Sequence, residues 1–441
     1  MAGGTFSGYN KVRPGAYLNF VAAAKSSLSV GERGVVTIPL ALSWGEQGEI
    51  ISVTGEDLLS GKSYAKIGMT FSDPEAQVLR EALKNAHTVL TGRVDKGGSK
   101  ASAEVCEDIT ATALYNGVFG NRLTVAVNAI RSNFEIVTAL DGRAVDIQSV
   151  GVLEDFTEKG WIALSGSGEL AVNAGIPLTG GVDGTVSDAD YSDYMGKVKG
   201  YKWNVMALTV ESQTLQELVK SFIKEMRERT GRKVQAVLYD FDGDYEGIIN
   251  SICGYKTPYE TVSPLCFTAY VAGATAGANV NKSNTYHVVA NAKSIIDEIT
   301  DHAEIETALK TGKLILSHRS DGAVIIEKDI NSLTSIGGDK SYDFTKNRVI
   351  RTLDDIANQI SSVFEMKYIG KVDNTPTGRS VFKAEIISFL NQLQSMNAIS
   401  DFDGPNDVTV SEGPDIESIV VGLSIKAADA MEKAYITVTV R

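Results

Sequence analysis

The sequence is short of the residues that most chemistry needs. Among 441 residues there are 3 cysteines and 4 histidines. Cys106, Cys253 and Cys266 are far apart and odd in number, so they fit neither a disulfide framework nor a paired metal-ligand spacing, and imply a reducing compartment of synthesis. His87, His287, His302 and His318 stand alone, with no His-Glu-x-x-His and no neighbouring carboxylate pair; His87 and His318 lie in strand-like apolar runs and read as core histidines. Basic residues are outnumbered, 42 against 55 acidic, for a net charge of −13. That argues against a non-specific nucleic-acid binder, whose footprint would be basic. The most apolar run, PLCFTAYVAGATAGA (264–278), is too short and too rich in threonine for a membrane span and reads as a buried Ala/Gly helix. The opening MAGGTFSGYNKVRPG lacks the apolar region of a signal peptide, so synthesis in the cytosol with no membrane anchor is expected. Internal repeats and low-complexity tracts are missing too.

What is present describes a folded protein of roughly three domains, 43% hydrophobic and 22% charged. Strand-like runs at 35–44, 49–55 and 86–94 surround a helix at 73–85, with Asp73 as its N-cap and Pro74 in its first turn. The same order resumes after LTGGVDG (178–184), with strands at 203–210, 234–240, 246–253, 313–320 and 323–330 and a helix at 212–231. Strand–helix–strand alternation predicts a discontinuous α/β domain, 30–94 plus 180–338, with a mostly parallel sheet and helices on both faces. Between them, 95–179 contains only short strand-like runs with Gly, Asp and Asn turns, among them 122–130, 134–140, 143–150 and 160–166. These predict an inserted β-sandwich or barrel. Amphipathic helices at 346–370 and 379–399 open an α+β domain over 339–430. The fold class is thus α/β plus all-β and multidomain.

Two segments fall outside these bodies. An arm, 1–29, contains RPGAYLNFVAA, a Pro14-Gly15 turn followed by an extended aromatic-bearing stretch. The chain closes on MEKAYITVTVR (431–441), where Ile436, Val438 and Val440 alternate with Tyr435, Thr437, Thr439 and Arg441. Alternation marks a half-buried strand, and an unpaired strand is an aggregation template, so this one needs a partner.

The catalytic constellations are weak. GEDLLSGKS (55–63) has five residues, not four, between its first Gly and Gly-Lys-Ser, which displaces the amides that would cradle a phosphate. DFDGDYE (240–246) clusters Asp240, Asp242 and Asp244 without EF-hand spacing and reads as a polar loop with at most incidental cation binding. SGSGE (165–169) has the wrong order for a nucleophile elbow. No cofactor and no catalysis are expected.

Six segments in order resemble the contractile-tail sheath proteins of myophages and of phage-tail-like bacteriocins of Gram-positive bacteria: RPGAYLNF, NGVFGNRLTV (116–125), LTGGVDG, VAGATAGANVNKSNT (271–285), RVIRTLDDIANQI with KYIGKVDNTPTGR (367–379), and YITVTVR. The resemblance implies an α/β core of subtilisin-like topology without a protease triad, an outward β-rich domain and a C-terminal domain lying inward against a tail tube. It also implies a virion or phage-tail-like particle assembled in the bacterial cytoplasm from stacked hexameric rings in a helical sheath. Tail tube, baseplate and tail terminator proteins would be its partners, with no direct nucleic-acid or membrane binding. Pro14, Gly15, Tyr17, Asn19 and Phe20 of the arm, and Tyr435, Ile436, Thr437, Val438, Thr439 and Val440, would pair in trans with neighbouring subunits. The Gly/Ser-rich 1–13 and the loop at 401–415 would be slack. Lys346, Arg348, Arg351, Lys367 and Lys371 are expected to form a basic face toward an acidic tube. Competing readings are a nucleotide-dependent α/β enzyme, a degenerate hydrolase, or another self-assembling surface polymer such as an S-layer or capsid protein.

Overall fold

The structure is a computed structural model; it describes residues 28–440, together with the backbone of Ala2–Gly4 and Gly15–Tyr17. The chain divides into two compact units, one of Gly31–Asn358 with Ala427–Arg441 and one of Met1–Val30 with Gln359–Lys426.

The larger unit is built on a seven-stranded sheet in the order Lys313–Leu314, Ile248–Ser251, Gln235–Tyr239, Val205–Ala207, Val35–Leu40, Thr88–Arg93, Ile50–Thr54. Every neighbouring pair is parallel except the last, which is antiparallel. Its central strands read as unbroken apolar runs because both faces are covered. Successive side chains point to opposite faces. Val205, Ala207 and Val237 join a core with Phe267 and Tyr270 of the Ala/Gly helix, while Met206, Ala236 and Leu238 join another with Tyr191, Val219 and Phe222. The Ala/Gly helix, Pro264–Gly277, starts at Ser263, whose hydroxyl accepts the Cys266 N–H at 3.2 Å, with Pro264 in the first turn. Its small residues permit backbone-to-backbone packing. A Cβ on Gly273 would stand 2.2 Å from the Ala82 carbonyl oxygen, and one on Gly277 1.9 Å from that of Asn85. Only glycine fits there.

Residues 313–330 depart from the expected pair of sheet strands. Only Lys313–Leu314 joins the main sheet; Leu316–His318 peels away and pairs antiparallel with Val324–Ile326. The helix expected at 73–85 is split into a 3₁₀ turn, Pro74–Ala76, and an α-helix, Gln77–Leu83. Asp73 caps nothing with its side chain; it accepts from Thr70 instead.

A β-sandwich lies between the two halves of this sheet in sequence. Four antiparallel strands run in the order Arg143–Val150, Asn133–Leu140, Leu123–Ile130, Asn173–Pro177, and three in the order Ile162–Gly166, Ile109–Asn116, Lys100–Cys106. Leu123, Val125, Val127 and Ile136 of one layer share a core with Ala101, Ile109, Ala111 and Ile162 of the other. Trp44, fully buried, stacks against Trp161 at 6.0 Å and contacts Phe119 at 4.9 Å between ring centres.

In the smaller unit the helix Pro376–Ser395, capped by Thr375 accepting the Gly378 N–H at 3.1 Å, buries Phe382, Ile386, Phe389, Leu390 and Leu393. Tyr368, on the π-helical turn Phe364–Tyr368, meets Phe382 at 4.5 Å. Val408–Glu412 and Ile419–Leu423 form an antiparallel hairpin. The slack expected over 401–415 therefore contains a strand, Val408–Glu412, whose backbone is already paired. After Val30 the smaller unit resumes at Gln359, inside a continuous helix (Asn347–Val363). The physical reason is that residues 346–358 are tied into the larger unit by buried charges.

Candidate assembly interface

Those charges come first, because three of them were expected on a tube-facing surface. Arg351 is 1% exposed; its Nη1 donates to the Lys282 carbonyl at 2.6 Å and its Nη2 lies 3.3 Å from Asp329 Oδ2. Arg348 is buried as well. Lys346, buried, pairs with Asp429 at 3.3 Å and with Glu432. Burial alone would pull its amine down, but the two carboxylates outweigh that and hold it above its ordinary value. On the same helix Asp354 receives both guanidinium nitrogens of Arg227, at 2.6 and 2.8 Å, and Asp355 accepts the Gly31 N–H. Burial, with Arg351 close by, lowers the Arg33 guanidinium to about 10. Lys346, Arg348 and Arg351 thus do not form an exposed basic face: distant carboxylates converge on them inside the larger unit. Of the five expected cations, Lys367 and Lys371 are outward. Lys367 is half exposed, 3.6 Å from Glu385, and Lys371 is exposed and bonds the Met366 carbonyl at 2.5 Å.

The closing segment behaves differently. Residues 428–440 form no strand, helix or turn in this chain. Tyr435 is 91% exposed, Ile436 80%, Val438 77% and Val440 90%, and Thr437 and Thr439 are exposed too. The apolar face that alternation demands is present, and it is exposed among the described residues. Of the arm residues, Gly15 and Tyr17 lie in a short strand, Gly15–Tyr17, whose backbone runs parallel to Ala2–Gly4. Pro14, Asn19 and Phe20 lie outside the described residues. Sequence reasoning missed Asp429 and Glu432, the carboxylates that meet Lys346. Their only signal was acidic punctuation in AADAMEK.

The enzymatic motifs resolve into ordinary structure. Gly55–Ser60 is a helix that starts at a capping box, with the Asp57 N–H bonding Thr54 Oγ1 and the Thr54 N–H bonding Asp57, so these two amides are occupied within the chain. Lys62 pairs with Glu56. Asp240 pairs with Lys313 at 2.8 Å, Asp242 accepts from Asn250, and Asp244 accepts the Thr334 and Ser335 N–H groups, each at 2.8 Å. Among the described residues no three His, Cys, Asp or Glu side chains could hold a metal ion. His87 and His318 are exposed, correcting their reading as core residues, because each sits where its strand meets solvent. No helix of the described residues is long and apolar enough to cross a membrane.

Comparison with known proteins assigns nearly the whole chain. Residues 33–94 match the domain III N-terminal region of tail sheath protein Gp18, and 96–183 the phage tail sheath β-sandwich domain. Residues 184–332 match the phage tail sheath central domain and 339–441 its C-terminal domain. An uncharacterised Bacillus subtilis protein, YqbK, is 37% identical, and the phage-like element PBSX protein XkdK of the same organism 34% identical, each over 100% of both chains. The solved sheath tail protein of Desulfitobacterium hafniense superposes with a TM-score of 0.83 at 35% identity, covering 96% of this chain and 99% of that one. With an α/β sheet, a β-sandwich and an unpaired alternating end already in view, the matches agree on one conclusion: this chain belongs to the contractile-tail sheath proteins, structural and non-enzymatic subunits of phage or phage-tail-like particles.

Proposed function

We propose that the chain polymerises helically, as stacked hexameric rings around a tail tube, by lending residues 435–440 to its neighbours, and that the sheath contracts to drive the tube through a target envelope. The observation that carries the reading is the segment 433–440, which alternates like a strand yet is exposed and has no strand partner among the described residues. Strand addition supplies backbone hydrogen bonds that are insensitive to side-chain repacking, while alternate side chains fix the register. Donor and acceptor surfaces differ, so the contact is heterologous, and repeating it makes a tube instead of a closed dimer. Pro14, Gly15, Tyr17, Asn19 and Phe20 of the arm would enter the same shared sheet. Contraction needs no nucleotide if rigid bodies exchange one packing for another while the strands keep them linked. Lys367 and Lys371, the outward cations, would meet an acidic tube. Baseplate and terminator proteins would close the ends, with assembly in the bacterial cytoplasm. The parallel order of the main sheet is compatible with the subtilisin-like connectivity that the resemblance implies.

Deleting residues 434–441 tests this directly. A folded protein by circular dichroism that forms no tubes in electron microscopy is the expected result. Tubes that still form, or loss of fold, would overturn it.

A further inference from the structure

The closing segment is free only from a definite point, and that point is held by charge. Lys346, its side chain 7% exposed, bonds Glu432 and lies 3.3 Å from Asp429. Glu432 is itself 14% exposed and accepts the Thr285 hydroxyl at 2.8 Å. The Thr285 oxygen accepts the Asp329 N–H at 3.0 Å, and Asp329, 2% exposed, is held by Asn347 at 3.0 Å and Arg351 at 3.3 Å. A continuous run of polar contacts therefore leads from the root of the segment to the first turn of the helix Asn347–Val363. From Lys433 onward every residue through Val440 is exposed. The change from held to free takes a single residue.

We infer that Lys346 is a positioning residue for strand exchange: its ion pairs with Asp429 and Glu432 form a latch that fixes where the exchanged strand leaves the body and so sets its reach. The inference rests on the strand-exchange reading above. With the latch closed, 433–440 is free, about 27 Å of extended chain; with it open, 428–440 is free and the reach grows to about 44 Å, at roughly 3.4 Å per residue. A short tether keeps the strand near one acceptor, since effective concentration falls roughly as the −3/2 power of tether length. An opened latch supplies slack when neighbouring bodies slide. A buried ion pair suits this better than an apolar plug, because both partners are well solvated once separated.

The test uses the full chain with Met431→Cys carrying a nitroxide label. Met431 is fully exposed, and the native Cys106, Cys253 and Cys266 are buried, so the label reports on position 431. In the otherwise unaltered protein the label is expected to be motionally restricted; adding Lys346→Met should free it to the level of a label at Tyr435→Cys. The same substitution, without label, should raise the critical concentration for tube formation about twofold, as the lengthened tether gives. Inserting six Gly/Ser residues between Lys433 and Ala434, which leaves the ion pairs alone, should raise it to a similar degree. A merely structural Lys346 would not be mimicked in this way. Lys346→Arg should restore both readouts, and Glu432→Gln decides the matter if Lys346→Met does not fold. A label at 431 already as mobile as one at 435, or an unchanged critical concentration in both the Met variant and the insertion, would overturn the latch. If deletion of 434–441 leaves assembly intact, the strand-exchange reading itself falls; if that deletion abolishes assembly while Lys346→Met assembles normally, only the latch does.

Discussion

Residues 123–130 and 433–440 carry similar patterns, LTVAVNAI and KAYITVTV, and meet opposite fates. In the first, Leu123, Val125 and Val127 are 0–1% exposed, and the strand is paired on both sides by Asn133–Leu140 and Asn173–Pro177. In the second, Ile436, Val438 and Val440 are at least 77% exposed and have no strand partner among the described residues. Alternation therefore states that a segment wants a partner; it does not say where the partner is. Within a sandwich the partners are the next turns of the same chain, whereas the closing segment has no strand partner among the described residues.

The largest effect should come from breaking the first strand. Val125→Asp puts an unpaired carboxylate in the sandwich core and should cost about 4 kcal/mol or more, seen as loss of the cooperative unfolding transition in denaturant. Val438→Asp should do the reverse. Monomer stability should stay within about 0.5 kcal/mol, while tube formation, followed by light scattering, disappears. If Val438→Asp destabilises the monomer as Val125→Asp does, the contrast between the two strands is false. A smaller effect is expected for the double reversal Lys367→Glu with Lys371→Glu, which should reduce sheath formed on purified tubes severalfold at low salt with no change in monomer stability; full retention would make them ordinary surface lysines. The smallest concerns pH. Desolvation tends to raise the Asp244 carboxyl, but hydrogen bonds from Ser335 and Thr334 outweigh it and hold it well below the usual range. Its contribution is present above the unfolded carboxylate pKa and is lost as pH falls through the lowered folded value. Asp244→Asn should therefore flatten the acid side of the stability profile, measured by thermal melts, and leave assembly at neutral pH unaltered.

Much of the architecture was legible, for physical reasons that differ by region. The sandwich strands at 123–150 and 162–166 alternate, and the sheet strands 205–207 and 235–239 are continuous apolar runs, so each kind shows its own burial. The Ala/Gly helix was visible because little else has that composition. What was not legible required knowing which distant residues meet. Lys346, Arg348 and Arg351 read as a basic helix face because their partners Asp329, Asp429 and Glu432 lie up to 86 residues away. Lys100–Cys106 and Ile109–Asn116 were hidden by small residues that satisfy a sandwich core without looking apolar. Val408–Glu412 reads as loop in the sequence because Gly, Pro and Asp flank it on both sides.

The contact of Gly273 and Gly277 with the Ala82 and Asn85 carbonyls has a mechanical corollary. Two helices seated backbone on backbone have no side-chain cushion between them and so little room to give. A lever made this way delivers torque to its neighbours without absorbing it. In the contraction proposed above, compliance then belongs at the joints and stiffness in the parts they connect.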